Sequence, residues 1–157
     1  MQRFSLMIAR FALSAWIGAA ALFVCTSISE QIAPAFDSGI KNTLAAVRFP
    51  WYYGFGFGLV GTGFVGSVIG VRRTEQRHRW AVIVTSLVLA LMLMVADYVA
   101  IYTPLYEIVT SPTAVRDARF VELHRWSERI NSVDILLCLI AALAVCWPTK
   151  QSLAPNP

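Results

Sequence analysis

Five side chains recur at helical spacing along one stretch of the chain: Phe120, His124, Ser127, Asn131 and Asp134. Steps of four and three residues place them on one helix face. The stretch starts in a charged, Arg-rich arm, Arg116 to Trp126, and runs through Cys138 into apolar sequence. Asp97 is the lone acid of a second apolar segment. Carboxyls in such surroundings suit two kinds of chemistry. They bind a proton or a cation, because intramembrane acids often mark ion pathways. They also accept hydrogen bonds that fix helix packing, here from tyrosine, Asn131 or Arg129. Catalysis needs a nucleophile with its base, or a metal triad, and His124 is the one histidine on its side. His78 falls on the opposite side, so a bis-histidine haem across the bundle is not expected. A site of His124 with Asp and Cys ligands lacks any specific metal spacing. The expectation is a polar or ion cluster of Asp97, Tyr98, Tyr102, His124, Ser127, Asn131 and Asp134, with no catalytic residue, cofactor or metal.

The elements that position these groups follow from composition. The chain has 157 residues, 57% hydrophobic and 14% charged, against roughly 25% charged in soluble domains. A spanning helix needs about 20 mostly apolar residues. Four stretches qualify: Leu6–Ser29, Phe49–Val71, Trp80–Thr103 and Ile130–Trp147. Val82–Val95 keeps no polar face for water. The fold expected is an all-α, four-helix transmembrane bundle. It forms one domain over residues 1–150, with a flexible tail at 151–157.

The net charge of +4 is not a nucleic-acid footprint, because it follows topology rather than flanking a reading element. The short loop Arg72–Arg79 is strongly basic and so reads as cytoplasmic. Arg3, Arg10 and Lys150 fall on its side, which puts both termini inside a cell membrane, inner or plasma. All five tyrosines (Tyr52, Tyr53, Tyr98, Tyr102 and Tyr106), with Trp51 and Trp126, then lie near the outer interface. Trp80 and Trp147 mark the inner one, as aromatic belts do. Asp97 lies about 27 Å along a helix from Arg79, and Asp134 about 24 Å from Lys150, at 1.5 Å per residue. Both acids therefore share a depth in the outer third. Cys25, near the outer end of the first helix, falls at a similar depth.

The first segment is long for a cleaved signal peptide, and Val24 before Cys25 disfavours a lipoprotein site. Cys25, Cys138 and Cys146 contain no CxxC and read as small buried apolar residues. Two G-x-G-x-x-G matches, Gly56–Gly61 and Gly61–Gly66, lie inside an apolar span rather than after a strand, which excludes the nucleotide fingerprint. Gly54, Gly58, Thr62, Gly66 and Gly70 recur every four residues, a small-residue ridge that lets helices approach closely in lipid. Packing of this ridge on the first helix, its sequence neighbour, is expected ahead of a dimer interface. Ile40–Val47 is a candidate interfacial helix. Pro104 is expected to close the third helix, and the fourth pattern runs from Thr113 to Trp147, longer than a bilayer needs.

Several pieces resemble one family. Phe120-x-x-x-His124-x-x-Ser127-x-x-x-Asn131, leading into the last helix, is similar to a motif of the transmembrane-protein-205-like family, a domain of unknown function. Ala15-Trp16-Ile17-Gly18, Ile32-Ala33-Pro34-Ala35-Phe36, Phe49-Pro50-Trp51-Tyr52-Tyr53 and Pro104 resemble its other motifs, in order. The resemblance covers nearly the whole chain. It implies a four-helix integral membrane protein and supplies no catalytic residues. Glu128, Arg129 and Asp134 depart from the family pattern.

The function expected is a non-enzymatic membrane protein whose outer polar cluster serves helix packing or partner binding. The alternative is a small transporter or cation-handling protein using Asp97 and Asp134. A membrane enzyme is the remaining reading. The expected partners are the lipid bilayer, with a homo-oligomer or another membrane protein beside it, and a cation under the alternative.

Overall fold

A computed structural model describes residues 1–71, 77–111 and 117–148. Most of the basic loop, Pro112, Thr113, Lys150 and the tail at 151–157 lie outside the described residues. Within them the apolar stretches are helical, because a chain in lipid must satisfy its backbone internally. The helices are α1 (Gln2–Ile32), α2 (Ser38–Gly70), α3 (Arg77–Asp97), α4 (Thr103–Thr110) and α5 (Ala118–Cys146). A π turn, Tyr98–Tyr102, joins α3 to α4, so Arg77–Thr110 runs as one membrane-length rod. Four helices are long and apolar enough to cross a membrane. The chain is a four-helix transmembrane bundle.

Local chemistry sets the helix ends. Asp37 caps α2 by accepting from the Ile40 amide at 2.8 Å. Asp117 caps α5 by accepting from the Phe120 amide at 2.8 Å. Such caps satisfy amides that have no partner inside the helix. The last turn of α1 is tied down by Lys41 Nζ, which donates to the Gln31 carbonyl at 2.8 Å. α5 has 29 residues, about 43 Å at 1.5 Å per residue. It therefore extends beyond a hydrocarbon core of about 30 Å.

Three expectations about helix boundaries are corrected. Ile40–Val47 is no separate helix, because α2 is continuous through Pro50. Proline removes one backbone bond, and α1 braces the turn beside it. Arg48 pairs with Glu30, donates to Ser27 Oγ at 2.6 Å and lies 4.9 Å from the Phe23 ring centre. Pro104 does not close the third helix either. The Thr103 amide and hydroxyl both donate to the Tyr98 carbonyl, the hydroxyl at 2.9 Å. That wider π turn gives the backbone slack just where proline lacks an N–H. The fourth helix starts at Ala118, after its Asp117 cap.

The helices form a ring: α1 packs on α2 and α5, and α3 packs on α5 and α2. Leu13, Trp16, Val60, Ile83, Leu87 and Val145 fill its centre. At one end Arg79 donates to the Ala144 and Val145 carbonyls at 2.7 and 2.8 Å, and Arg10 to Val145 at 3.1 Å. These two guanidiniums neutralise the negative end of α5.

The glycine ridge is split. A Cβ on Gly66 would stand 2.8 Å from the Ser5 carbonyl oxygen, and one on Gly70 2.7 Å from Leu6. Gly56 and Gly63, outside the expected ridge, face Trp16 with Met94, and Leu13. Gly54 and Gly58 have nothing within 4 Å, and nor does Gly18 on α1. The reason is geometric. Each step of four turns the position by about 40° round a helix with 3.6 residues per turn. From Gly54 to Gly70 the ridge thus rotates by about 160° and cannot face one neighbour. The seam that packs on α1 is Gly56, Gly63, Gly66 and Gly70.

A buried carboxyl cluster as the candidate functional site

The polar groups meet where α2, α3 and α5 approach one another. Asp97, the last residue of α3, is 1% exposed. Three side chains converge on its Oδ2 oxygen. Tyr53 donates its hydroxyl, Ser127 donates at 3.3 Å, and Asn131 Nδ2 lies at 3.2 Å. Asn131 is itself held in place. Its Nδ2 lies 2.9 Å from the Ser127 carbonyl and 3.1 Å from Ser127 Oγ, and its Oδ1 accepts from Tyr52 at 3.1 Å. Tyr52 and Tyr53 come from α2, and Ser127 and Asn131 from α5, so one oxygen of α3 ties three helices together. Ser127 and Asn131 share a face because four residues are close to one helical turn.

Asp134 is the other acid. It is also 1% exposed. Among the described residues neither of its oxygens has a hydrogen-bond partner, and Asp97 Oδ1 has none. The two carboxyls lie close enough for their charges to interact, and both act on Tyr52. Cys138, one turn further along α5, is buried beside Asp134. Trp16 of α1 completes the surround. Its ring centre is 5.1 Å from that of Tyr52, and its buried Nε1 faces the Cys138 thiol without a well-formed hydrogen bond. An acid at the centre of a spanning helix costs about 3 kcal/mol on insertion scales. Asp97 offsets this through its donors, whereas Asp134 has no such compensation.

The expected cluster is therefore divided. Asp97, Ser127 and Asn131 are bonded together, with Asp134 beside them. Tyr98 and Tyr102 join through their rings, 5.1 and 4.8 Å from that of Tyr53, without a hydrogen bond to the acids. His124 does not join. It is 45% exposed, its Nε2 is 3.2 Å from Glu128 Oε1, and its ring stacks on Phe120. A residue one turn nearer the α5 start clears the bundle, where Glu128 is the nearer partner. Arg129 lies over the exposed Trp126 ring at 5.3 Å and gives nothing to the acids. Cys25 and Cys146 are exposed, and Cys138 alone of the cysteines is buried.

Comparison of the chain with protein families, curated proteins and solved structures finds no match. The site is thus read from its own residues.

A tyrosine donor was expected, but the donors are Tyr52 and Tyr53 rather than the cluster members Tyr98 and Tyr102. A signal was present, since Tyr53 lies about 26 Å along α2 from Gly70 and Asp97 about 27 Å along α3 from Arg79. Tyr52 and Tyr53 are buried in the bundle, whereas Tyr98 and Tyr106 are exposed. Ring contacts run from Tyr52 to Tyr53, Tyr102 and Tyr106 at 5.5, 4.8 and 5.8 Å. These rings wall one side of the cluster.

Proposed function

We propose that this is a non-enzymatic, multi-pass protein of the inner or plasma membrane, with both termini cytoplasmic, whose buried cluster fixes helix packing. It thereby sets the pose of the arm at the start of α5 for a membrane partner or lipid headgroups. The observation that carries this reading is the convergence of Tyr53, Ser127 and Asn131 on one Asp97 oxygen. Interhelical bonds of this kind hold transmembrane bundles together. The arm offers Arg125, Trp126 and Arg129 on exposed positions, a composition suited to a headgroup layer. Arg10 and Arg79 at the other end support a cytoplasmic assignment for that end. The likeness of Phe120, His124, Ser127 and Asn131, and of Phe49, Pro50, Tyr52 and Tyr53, to the transmembrane-protein-205-like family implies a four-helix integral membrane protein. Four of those residues are members of the cluster.

A second reading, cation or proton handling, is favoured by the unpartnered Asp134 carboxyl. Asp97→Asn and Asp134→Asn separate the two. Reduced thermal stability of the Asp97 variant, without altered ion flux in liposomes for either, supports the packing role. Altered flux with unchanged stability rejects it in favour of transport. For orientation, a Gln76→Cys variant labelled by a membrane-impermeant thiol reagent from outside the cell would reverse the topology.

A further inference from the structure

Asp134 is the one part of the cluster that packing does not account for. It is buried, with Tyr52 of α2, Asp97 of α3 and Cys138 of its own helix beside it, and Trp16 of α1 lies against Tyr52 and Cys138. None of these is a cation. Three carboxyl oxygens there, both of Asp134 and Oδ1 of Asp97, lack a hydrogen-bond partner. Two negative charges in such a place repel, and among the described residues neither faces a counter-ion, so the pair takes up positive charge from outside.

The identity of that charge follows from the donor set. A divalent cation takes six or more oxygens or a compact group of strong ligands. Among the described residues no group of three or more His, Cys, Asp or Glu is placed to hold a metal. A proton needs a single lone pair, which Asp134 offers on either oxygen.

The route is also marked. Toward the start of α5 the face carries Asn131, Ser127 and then the half-exposed His124. Toward the other end it carries Cys138, Ala141 and Val145, all fully buried, with Leu13 and Leu87 across from them. Polar side chains thus lead away from the acids in one direction only.

We infer that Asp134 and Asp97 form a buried acid pair that binds one exchangeable proton, reached from the end of the bundle that carries His124. The step breaks no covalent bond other than O–H. A proton leaves a hydronium ion, which becomes water, and forms an O–H bond on an Asp134 oxygen, and the reverse step returns it to water. Asp97, bonded on Oδ2, stays as the fixed neighbour.

Infrared difference spectroscopy on the full chain in liposomes tests this directly. Acidification of the wild type is expected to raise one carboxylic C=O band. That band disappears in Asp134→Asn and shifts in frequency in Asp134→Glu, which keeps a carboxyl and guards against loss through misfolding. In Asp97→Asn it persists with its midpoint moved by tenfold or more in proton concentration. A band unaffected by both Asp134 variants would overturn the assignment. So would a tenfold shift of the wild-type midpoint when sodium replaces a bulky organic cation, because a metal ion would then be the ligand. In vesicles of one insertion orientation, acid on the His124 side alone should raise the band. An equal response to acid on the Arg79 side would refute the one-ended route.

Discussion

Asp97 and Asp134 are equally buried, carry the same carboxyl and both lie near Tyr52, yet their surroundings differ completely. Three donors from two neighbouring helices converge on Asp97, while no hydrogen bond reaches Asp134. The contrast shows that burial of an acid in a membrane bundle does not define its role. An acid on which several donors converge is a structural part, because replacing it strands those donors. An acid without donors adds nothing to packing and is left for exchange with the medium.

The comparison depends first on the frame that holds both acids. Gly66→Leu would drive a side chain into the Ser5 backbone, with Cβ at 2.8 Å. It should prevent a detergent-stable bundle from forming, as read by size-exclusion chromatography. Gly58→Leu, with nothing within 4 Å, should elute like the wild type. Within an intact frame, Asp97→Leu leaves three donors stranded and should lower stability by about 3 kcal/mol. Tyr53→Phe removes one bond to the charge-bearing acceptor and should lose about 1.5 kcal/mol. Tyr52→Phe removes only the amide bond to Asn131 and should lose about 0.6 kcal/mol, the average for interhelical bonds in lipid. Reversed order of the two tyrosine variants in thermal unfolding would move the anchor from Asp97 to Asn131.

The four spans were legible in the sequence because bilayer thickness imposes a length that apolar runs reveal directly. The shared level of Asp97 and Asp134 along the bundle was legible from counting along the helices, and the four-residue step from Ser127 to Asn131 gave their shared face. What was not legible depended on the rotation of one helix relative to another. Gly54 and Gly58 turned outward while Gly56 and Gly63 turned in, since a run of fours drifts around the helix. His124 obeyed the spacing of its stripe but rose above the bundle, where Glu128 holds it. The proline signal at Pro104 was read as an end and is overridden by the π turn, while the continuity of α2 through Pro50, beside the Arg48 brace on α1, was not foreseen. Tyr52 and Tyr53 looked interfacial because tyrosine is enriched there, and their inward hydroxyls emerged only once α2 was set against α3.

The central claim is that Asp97 is a structural acceptor and Asp134 is not. Paired thermal-unfolding measurements of Asp97→Leu and Asp134→Leu in one detergent test it most directly. The account predicts a clear fall in midpoint for the Asp97 variant. The Asp134 variant should stay within about 1 kcal/mol of wild type, or rise, since replacing a buried ionisable group with a packed apolar one is often neutral or stabilising. Equal losses, or a greater loss at Asp134, would contradict the division of roles between the two acids.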